Sequence, residues 1–282
     1  MTQCDALHLA RSRSIECLLT RQNHRGMDHI RRALKPGYLL RTAQKLISRI
    51  GNVFIVTGFP VVDTFETDGP AGASALYRLA ERLGSTPTII SDFKLVRVLR
   101  DSYRCHTIAG DSEFDAKQLY AGLTPQLVIS IERPGASADG RYYNMTGEDI
   151  SSVCSAAEPY LALANCPTIA IGDGGNELGM GNVETHLSAL NIRPAVTTVD
   201  ELIVADVSNW AAYALCALTD WLSGNTAERM ERFQSDLEAL VARGAIDGVT
   251  REPNATEDGF PFADTAALLT DITQLLPKGN VA

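Results

Sequence analysis

The sequence has no long hydrophobic run, no paired cysteines and little positive charge. No apolar stretch reaches the roughly 18 residues of a transmembrane helix, and the N-terminus lacks the continuous apolar core of a secretory signal. The six cysteines show neither a CxxC pair nor metal-ligand spacing, so we interpret them as reduced packing residues. Lys and Arg number 25 against 34 Asp and Glu, a net charge of -9 that argues against nucleic-acid binding. We therefore expect a cytoplasmic globular enzyme that binds neither membranes nor nucleic acid.

Three common catalytic signatures are also missing. The chain has no Walker A loop, which makes a nucleoside triphosphate a poor candidate for its substrate, and no GxGxxG dinucleotide fingerprint. Nothing in the sequence supports a Ser-His-Asp triad.

What the sequence does contain is a regular alternation of short β-branched runs with amphipathic stretches, from residue 51 onwards. This pattern predicts a doubly wound, mainly parallel α/β sheet of the Rossmann-like, three-layer type. The predicted strands are Val53–Thr57, Thr86–Ser91, His106–Ala109, Leu127–Ile131, Thr168–Ile171 and Leu202–Ala205. The predicted helices are Ala71–Leu83, Phe93–Tyr103, Glu113–Gly122, Ser151–Leu163, Asn209–Leu222, Thr226–Arg243 and Asp264–Leu276.

The first 50 residues differ from the rest. They hold 10 Lys and Arg against 3 Asp and Glu, a balance of +7, and their apolar residues recur at helical spacing. Pro36-Gly37 should separate two helices there. We predict a helical N-terminal extension over 1–50, packed on an α/β domain over 51–282. A basic segment beside an acidic body also makes a homodimer a reasonable expectation.

Polar residues follow several of the predicted strands, where open α/β sheets bind their ligands. After the first strand comes Asp68-Gly69-Pro70, which suits either a helix cap or an anion site. Glu132 and Arg133 follow the fourth strand; they either pair with other protein charges or bind a ligand. The loop beyond them supplies further candidates for substrate binding, namely Asp139, Arg141, Tyr142 and Asn144.

The fifth predicted strand leads into the sharpest feature, GDGGNELGMG, in which five of ten residues are glycine. Glycines at this density usually permit close approach of backbone to a ligand. Asp173 and Glu177 are carboxylates four residues apart and could divide acid and base roles or bind a hard cation. Gly174, Gly175 and Asn176 are expected to bind substrate there. Ser208 and Asn209, after the sixth strand, either bind substrate or cap a helix.

These same segments resemble a known family. In this order, VTGFP, ETDGPAGA, ERPG…ADGRYYNM, IGDGGNELGMGN and VSNW look like the C-terminal domain of D-glutamate cyclase and its stand-alone bacterial relatives, long catalogued as a domain of unknown function. The resemblance runs from about residue 20, through RGMDHIRRALKPG, to the late GFPF loop. It implies cyclisation of free D-glutamate to 5-oxo-D-proline with loss of water, a lyase reaction.

That chemistry requires a base for the ammonium, charge neutralisation at the γ-carboxylate and an acid for the departing oxygen. From residue type and loop position, Glu132 or Asp173 could be the base and Glu177 the acid. Arg133 and Arg141 could hold the carboxylates, and the amides of 68–72 and 172–176 could stabilise the oxyanion.

Two alternatives stay open. One is a non-catalytic regulatory module that binds an acidic metabolite. The other is a metal-dependent hydrolase or phosphoryl-transfer enzyme acting on a small anionic substrate. In that case Glu132, Asp173 and Glu177 would hold Mg²⁺ or Mn²⁺.

Overall fold

A computed structural model describes residues 3–188 and 190–276. Its centre is a six-stranded sheet in which every strand runs parallel to its neighbours. The strands of this sheet are β1 (Asn52–Thr57), β4 (Thr86–Ser91), β5 (Cys105–Thr107), β6 (Pro125–Ile131), β7 (Thr168–Gly172) and β8 (Glu201–Val204). Two antiparallel pairs lie outside it: β2 (Pro60–Val61) with β3 (Thr64–Phe65), and β9 (Thr256–Glu257) with β10 (Phe260–Pro261).

The spatial order of the sheet is β5-β4-β1-β6-β7-β8. Counted along the chain, this is the 3-2-1-4-5-6 order of doubly wound nucleotide-binding folds, so the predicted fold class is confirmed. The order reverses between β1 and β6. Connections from these two strands leave in opposite directions, which opens a crevice beyond their carboxyl ends.

Helices cover both faces of the sheet. They are α1 (Gln3–Leu19), α2 (Met27–Ala33), α3 (Tyr38–Ser48), α4 (Pro70–Arg82), α5 (Phe93–Leu99), α6 (Ser112–Gly122), α7 (Glu158–Ala162), α8 (Glu184–Leu187), α9 (Ser208–Ser223), α10 (Met230–Val241) and α11 (Phe262–Leu275), with a 3₁₀ turn at Met180–Val183. None of the described helices is long and apolar enough to cross a membrane.

The strand sequences explain the two hydrophobic layers. In β1, Val53 and Ile55 join the core beneath α4 and α9, whereas Phe54 and Val56 join a second core beneath α6 and α7. Both faces of a parallel sheet are buried, so the strand reads as one apolar run rather than as an alternation.

Pro36-Gly37 separates two helices, α2 and α3, as predicted. A further turn, which the sequence pattern did not predict, separates α1 from α2. Gly26 there has a left-handed φ of 77°, and Asp206 accepts the Gln22 and Asn23 amides at 2.7 and 3.0 Å. These contacts place residues 20–26 beyond the carboxyl end of β8.

The predicted helix Ser151–Leu163 is helical only over α7. The Ser155 amide donates to Asp92 (3.3 Å), and its carbonyl accepts from the buried Arg133 guanidinium. The backbone groups of Ser155 are therefore bonded to Asp92 and Arg133 instead of to the backbone of a continuous helix.

Candidate active site

A cleft of about 810 Å³ opens beyond the carboxyl ends of β1, β6 and β7. Its walls come from the β2–β3 hairpin, the 144–153 loop and the 248–260 loop. The titratable and charged groups lining it are His24, Arg25, Glu66, Glu132, Glu148, Asp149, Asp173, Arg251 and Asp258. The cleft thus lies at the reversal point of the sheet, where this fold type binds ligands.

Three buried carboxyl groups from separate loops meet at this edge of the sheet; Glu132 and Asp173 line the cleft, whereas Asp68 does not. Asp68 precedes α4, Glu132 follows β6 and Asp173 follows β7. Each offers a carboxylate oxygen, and these oxygens lie within 4.8 Å of one another. The sequence predicted all three as site residues, and the fold brings them together.

The N-terminus of α9 holds this acidic group in place. The Ser208 amide donates to Oδ2 of Asp68 (2.9 Å) and to Oδ2 of Asp173 (3.0 Å), and the Asn209 amide donates to Oδ1 of Asp68 (2.7 Å). The Ser208 hydroxyl donates to Glu132 at 2.5 Å. The first amides of a helix have no intrahelical acceptor and carry partial positive charge, so they stabilise carboxylates.

Burial raises the pKa of each member of this group, and mutual repulsion adds to the effect. The pKa values of Asp68 and Glu132 lie well above their ordinary values, because both side chains are buried beside other carboxylates. The pKa of Asp173 is raised less, since Arg25 opposes the effect of burial. The neighbouring Asp173 also raises the pKa of Asp68. Acids that hold protons near neutral pH can both accept and return a proton during a reaction.

Arg25 and Asp258 complete the floor. The Arg25 guanidinium pairs through Nη1 with Asp173 and with Asp258 (2.5 Å). Burial and the neighbouring Asp173 raise the pKa of Asp258 to about 7, although Arg25 partly opposes this. Asp206 accepts hydrogen bonds from the Gln22 and Asn23 amides, and this turn positions Arg25.

Glu177 has a different position from the one expected of a catalytic acid. Its Oε1 accepts from the Gly174 amide (2.8 Å) and its Oε2 from the Gly175 amide (2.7 Å). It is buried beneath the glycine loop and does not line the cleft. The carboxylates close enough to hold a metal ion are Asp68, Glu132 and Asp173, and Glu177 is not among them. Glu177 shapes the loop that presents Asp173.

Gly69 and Asn209 connect α4 to α9. The Asn209 side chain accepts from the Gly69 and Gly72 amides (2.9 and 2.7 Å) and donates to Glu257 (2.8 Å). All its polar atoms are used, and it does not line the cleft. These contacts make Asn209 a structural clamp between α4 and α9, and its role in substrate binding stays a prediction.

Arg133 is also committed to the protein. Its fully buried guanidinium pairs with Asp92 and donates to the carbonyls of Gly58 (3.0 Å) and Ser155. The structure therefore favours protein pairing over substrate binding, and Arg133 joins β1, β6 and the 151–157 segment.

The 137–149 loop divides between surface and cleft. Asp139 and Arg141 lie at the surface, where Asp139 accepts from the Tyr143 hydroxyl (2.6 Å) and Arg141 faces Asp149 (3.5 Å). The Tyr142 hydroxyl donates to Glu158 (2.8 Å), away from the cleft. Asn144 does line the cleft, and its side chain closes a turn on Thr146.

Asn176 donates to the Tyr143 carbonyl (2.8 Å), while its buried Oδ1 has no hydrogen-bond partner. Gly174 and Gly175 give their amides to Glu177 and do not line the cleft.

Sequence reasoning missed Arg25, Glu66 and Asp258, because none of them directly follows a strand of the main sheet. Signals for two of them existed in the chain. Arg25 begins the RGMDHIRRALKPG segment, and Asp258 immediately precedes the GFPF loop. Glu66 begins the ETDGP segment that contributes Asp68.

Comparison with known proteins supports the resemblance. The chain is 34% identical over 228 residues to the human protein "D-glutamate cyclase, mitochondrial", a match covering 69% of this chain and 36% of that protein. An exopolyphosphatase-related protein from Bacteroides fragilis superimposes with a TM-score of 0.44 at 10% identity, over 86% of this chain and 61% of that one. The family model described as D-glutamate cyclase-like, C-terminal, matches residues 15–273. The chain belongs to the D-glutamate cyclase-like C-terminal family.

Proposed function

We propose that this chain is an enzyme that cyclises D-glutamate to 5-oxo-D-proline and water. The observation that carries the proposal is that the family match, residues 15–273, includes every charged group on the cleft floor. The chain spans about a third of the human relative, so the activity of that whole protein is an expectation for this chain.

The reaction moves protons but consumes none. The substrate amine attacks the γ-carboxyl carbon, a C–N bond forms, and one C–O bond breaks. The ammonium gives up two protons, and the departing oxygen takes two and leaves as water. The enzyme must therefore carry protons from nitrogen to oxygen within one closed site, which needs groups that both accept and donate near neutral pH.

Glu132 and Asp258 suit this transfer. Both line the cleft, both are buried, and both have raised pKa values, with that of Asp258 at about 7. Asp173 lies next to each of them and pairs with Arg25, so it orients the guanidinium. The two Arg25 ion pairs use Nη1, which leaves the N–H groups on Nε and Nη2 for a substrate carboxylate.

The test is incubation of the purified chain with D-glutamate and with L-glutamate separately, with 5-oxoproline measured by chiral chromatography. We expect product from D-glutamate only. Glu132→Gln should lower turnover by about 10²- to 10⁴-fold, the usual contribution of a proton-transfer group. Glu113→Gln, which removes an exposed carboxylate on α6, is the matched control and should leave turnover unchanged. A folded protein that makes no 5-oxoproline from D-glutamate would contradict the proposal.

A second candidate is a metal-dependent hydrolase or phosphoryl-transfer enzyme acting on a small anionic substrate. The three carboxylate oxygens within 4.8 Å of one another favour it, because such groups bind the ions that activate phosphoryl transfer. Phosphate release from a panel of phosphorylated metabolites with Mn²⁺ present tests it. A ligand that raises the melting temperature without being consumed would instead indicate a binding module.

A further inference from the structure

The cleft floor carries more buried carboxyl groups than its own cations pair with. Arg25 is the buried cation there, and it already pairs with Asp173 and Asp258. Asp68, Glu66 and Glu132 have no cationic partner among the described residues. The two carboxylates of a substrate such as glutamate would be repelled by ionised carboxylates on this floor unless further positive charge were bound.

Glu66 provides an independent sign of a missing ligand. Its side chain is more than nine-tenths buried, and it lines the cleft with Glu132 and Asp173. Its Oε1 has no hydrogen-bond partner within residues 3–188 and 190–276. An unpaired buried carboxylate oxygen costs free energy that a bound cation or its water would recover.

The spacing of Asp68, Glu132 and Asp173 fits one hard cation. Oxygen ligands lie about 2.1 Å from Mg²⁺ and about 2.3–2.6 Å from Ca²⁺, so two oxygens of one shell are at most about 4–5 Å apart. The three carboxylate oxygens, at no more than 4.8 Å, already fall close to that span.

The ligands are also pre-positioned. Amides of Ser208 and Asn209 fix Asp68 and Asp173, and the Ser208 hydroxyl fixes Glu132. Hydrogen bonds of this kind orient metal ligands and raise affinity. All the donors are oxygens, a set that selects Mg²⁺, Mn²⁺ or Ca²⁺ over softer ions.

We propose that Asp68, Glu132 and Asp173 bind a divalent cation, Mg²⁺ or Mn²⁺, in the cleft that Glu66 also lines. The site itself follows from the geometry, while its role rests on the proposed function. In that reaction the cation would neutralise the γ-carboxylate of the substrate and make its carbon susceptible to the amine, Glu132 would be its ligand, and Asp258 would carry the protons. This ligand set differs from the Glu132, Asp173 and Glu177 set expected from the sequence.

The experiment measures metal binding separately from turnover. The full chain is treated with EDTA, desalted and titrated with Mn²⁺, and free Mn²⁺ is followed by its electron paramagnetic resonance signal. We expect a single class of site that Mg²⁺ displaces. Asp173→Asn and Glu132→Gln should each weaken binding by at least about 100-fold, since changes to outer-shell partners alone cost 10- to 100-fold. Glu113→Gln, with the same loss of charge far from the cleft, should bind as the unaltered chain does.

Circular dichroism identifies a variant that fails to fold. If either Asp173→Asn or Glu132→Gln does so, the other variant provides the test of binding. Absence of Mn²⁺ binding by the unaltered chain, or unaltered binding by both folded variants, would overturn the metal site. Turnover of D-glutamate that continues at full rate after EDTA, without binding, overturns the site but leaves the cyclase proposal intact. Mn²⁺ binding without any 5-oxoproline from D-glutamate leaves the metal site intact but overturns the cyclase proposal.

Discussion

Glu132 occupies a backbone conformation that few residues with a side chain adopt. Its φ is +41°, in the left-handed region, and its Cβ faces Gly69, which has a φ of +86°. The left-handed conformation costs roughly 1–2 kcal/mol for a residue with a side chain, so the surrounding contacts must hold Glu132 in place. The Ser208 hydroxyl is one such contact. Strain concentrated at a carboxylate in a cleft is typical of functional sites.

Gly69→Ala tests this close approach. An added Cβ would lie 2.6 Å from Cβ of Glu132, so we expect loss of D-glutamate turnover as well as lower stability. Gly224→Ala is the matched control, because Gly224 has a φ of +71° but no atom within 4 Å of an added Cβ. The control should cost about 1–2 kcal/mol from backbone strain. Gly69→Ala should cost about 1–3 kcal/mol more from the clash. Urea denaturation measures both, and equal losses would show that the clash is unimportant.

At the residue scale, the sequence predicted the acidic group better than the cations. Asp68, Glu132 and Asp173 could be predicted because parallel strands end at one edge, and position after a strand can be read from the pattern. The role of Arg133 could not be predicted, because an arginine after a strand can either bind a ligand or pair with a protein carboxylate. The position of Asp92 in the fold shows that Arg133 forms an ion pair within the protein. Arg25 and Asp258 depend on contacts across the whole chain, which local patterns do not encode.

At the scale of elements, the 247–259 loop illustrates how one carboxylate organises a cleft wall. Asp247 accepts hydrogen bonds from the amides of Val249, Thr250 and Gly259 (2.9, 2.7 and 2.7 Å) and from the Thr256 hydroxyl (2.7 Å). The loop contains Asp258, so its shape determines whether that residue reaches Arg25.

Asp247→Asn should destabilise the protein in a pH-dependent way. Burial alone would raise the pKa of Asp247, but the hydrogen bonds from Thr250, Gly259 and Thr256 outweigh it, and its pKa is lowered. A lowered pKa stabilises the fold fully above the unfolded value of about 3.9, and this stabilisation is lost as pH falls through the folded value. We expect a cost of about 1–3 kcal/mol at pH 7. The difference between the two proteins should shrink below about pH 4. Urea denaturation across this range measures it, and a difference independent of pH would contradict the role of ionised Asp247.

The strands could be predicted closely because buried β-branched runs are distinctive. Helix 151–163 was over-predicted because amphipathic spacing does not reveal that Asp92 and Arg133 bind the Ser155 backbone. The turn at 20–26 was missed because its anchor, Asp206, lies about 180 residues further along the chain.

At the scale of the whole molecule, the N-terminal helices belong to the main core. Ile15, Leu19, Tyr38 and Leu39 are fully buried in the same cluster as the residues of β1, α4 and α9. Tyr38 also donates to the Val204 carbonyl of β8 (3.4 Å). The alternation of strands and helices predicted the sheet. It could not predict how many residues of the N-terminal helices are buried in the main core, because that depends on tertiary packing.

We therefore expect residues 51–282 alone not to fold cooperatively. Burying a large apolar side chain contributes about 1.5–3 kcal/mol, so losing four approaches the usual net stability of about 5–15 kcal/mol. Thermal unfolding followed by circular dichroism would show no sharp transition. Addition of residues 1–50 as a separate peptide is the control and should restore some structure. A cooperative transition in the shortened chain would instead support an independent 51–282 domain and contradict this expectation.

The ion pair between Arg25 and Asp258 joins residues 233 positions apart. Such a contact forms only after nearly all of the polypeptide has emerged from the ribosome, and long-range contacts of this kind are slow to form. The ion pair that completes the cleft floor therefore depends on completion of synthesis. Under the proposed function, we expect a nascent or prematurely terminated chain that ends before Asp258 to lack D-glutamate turnover even where its sheet has formed.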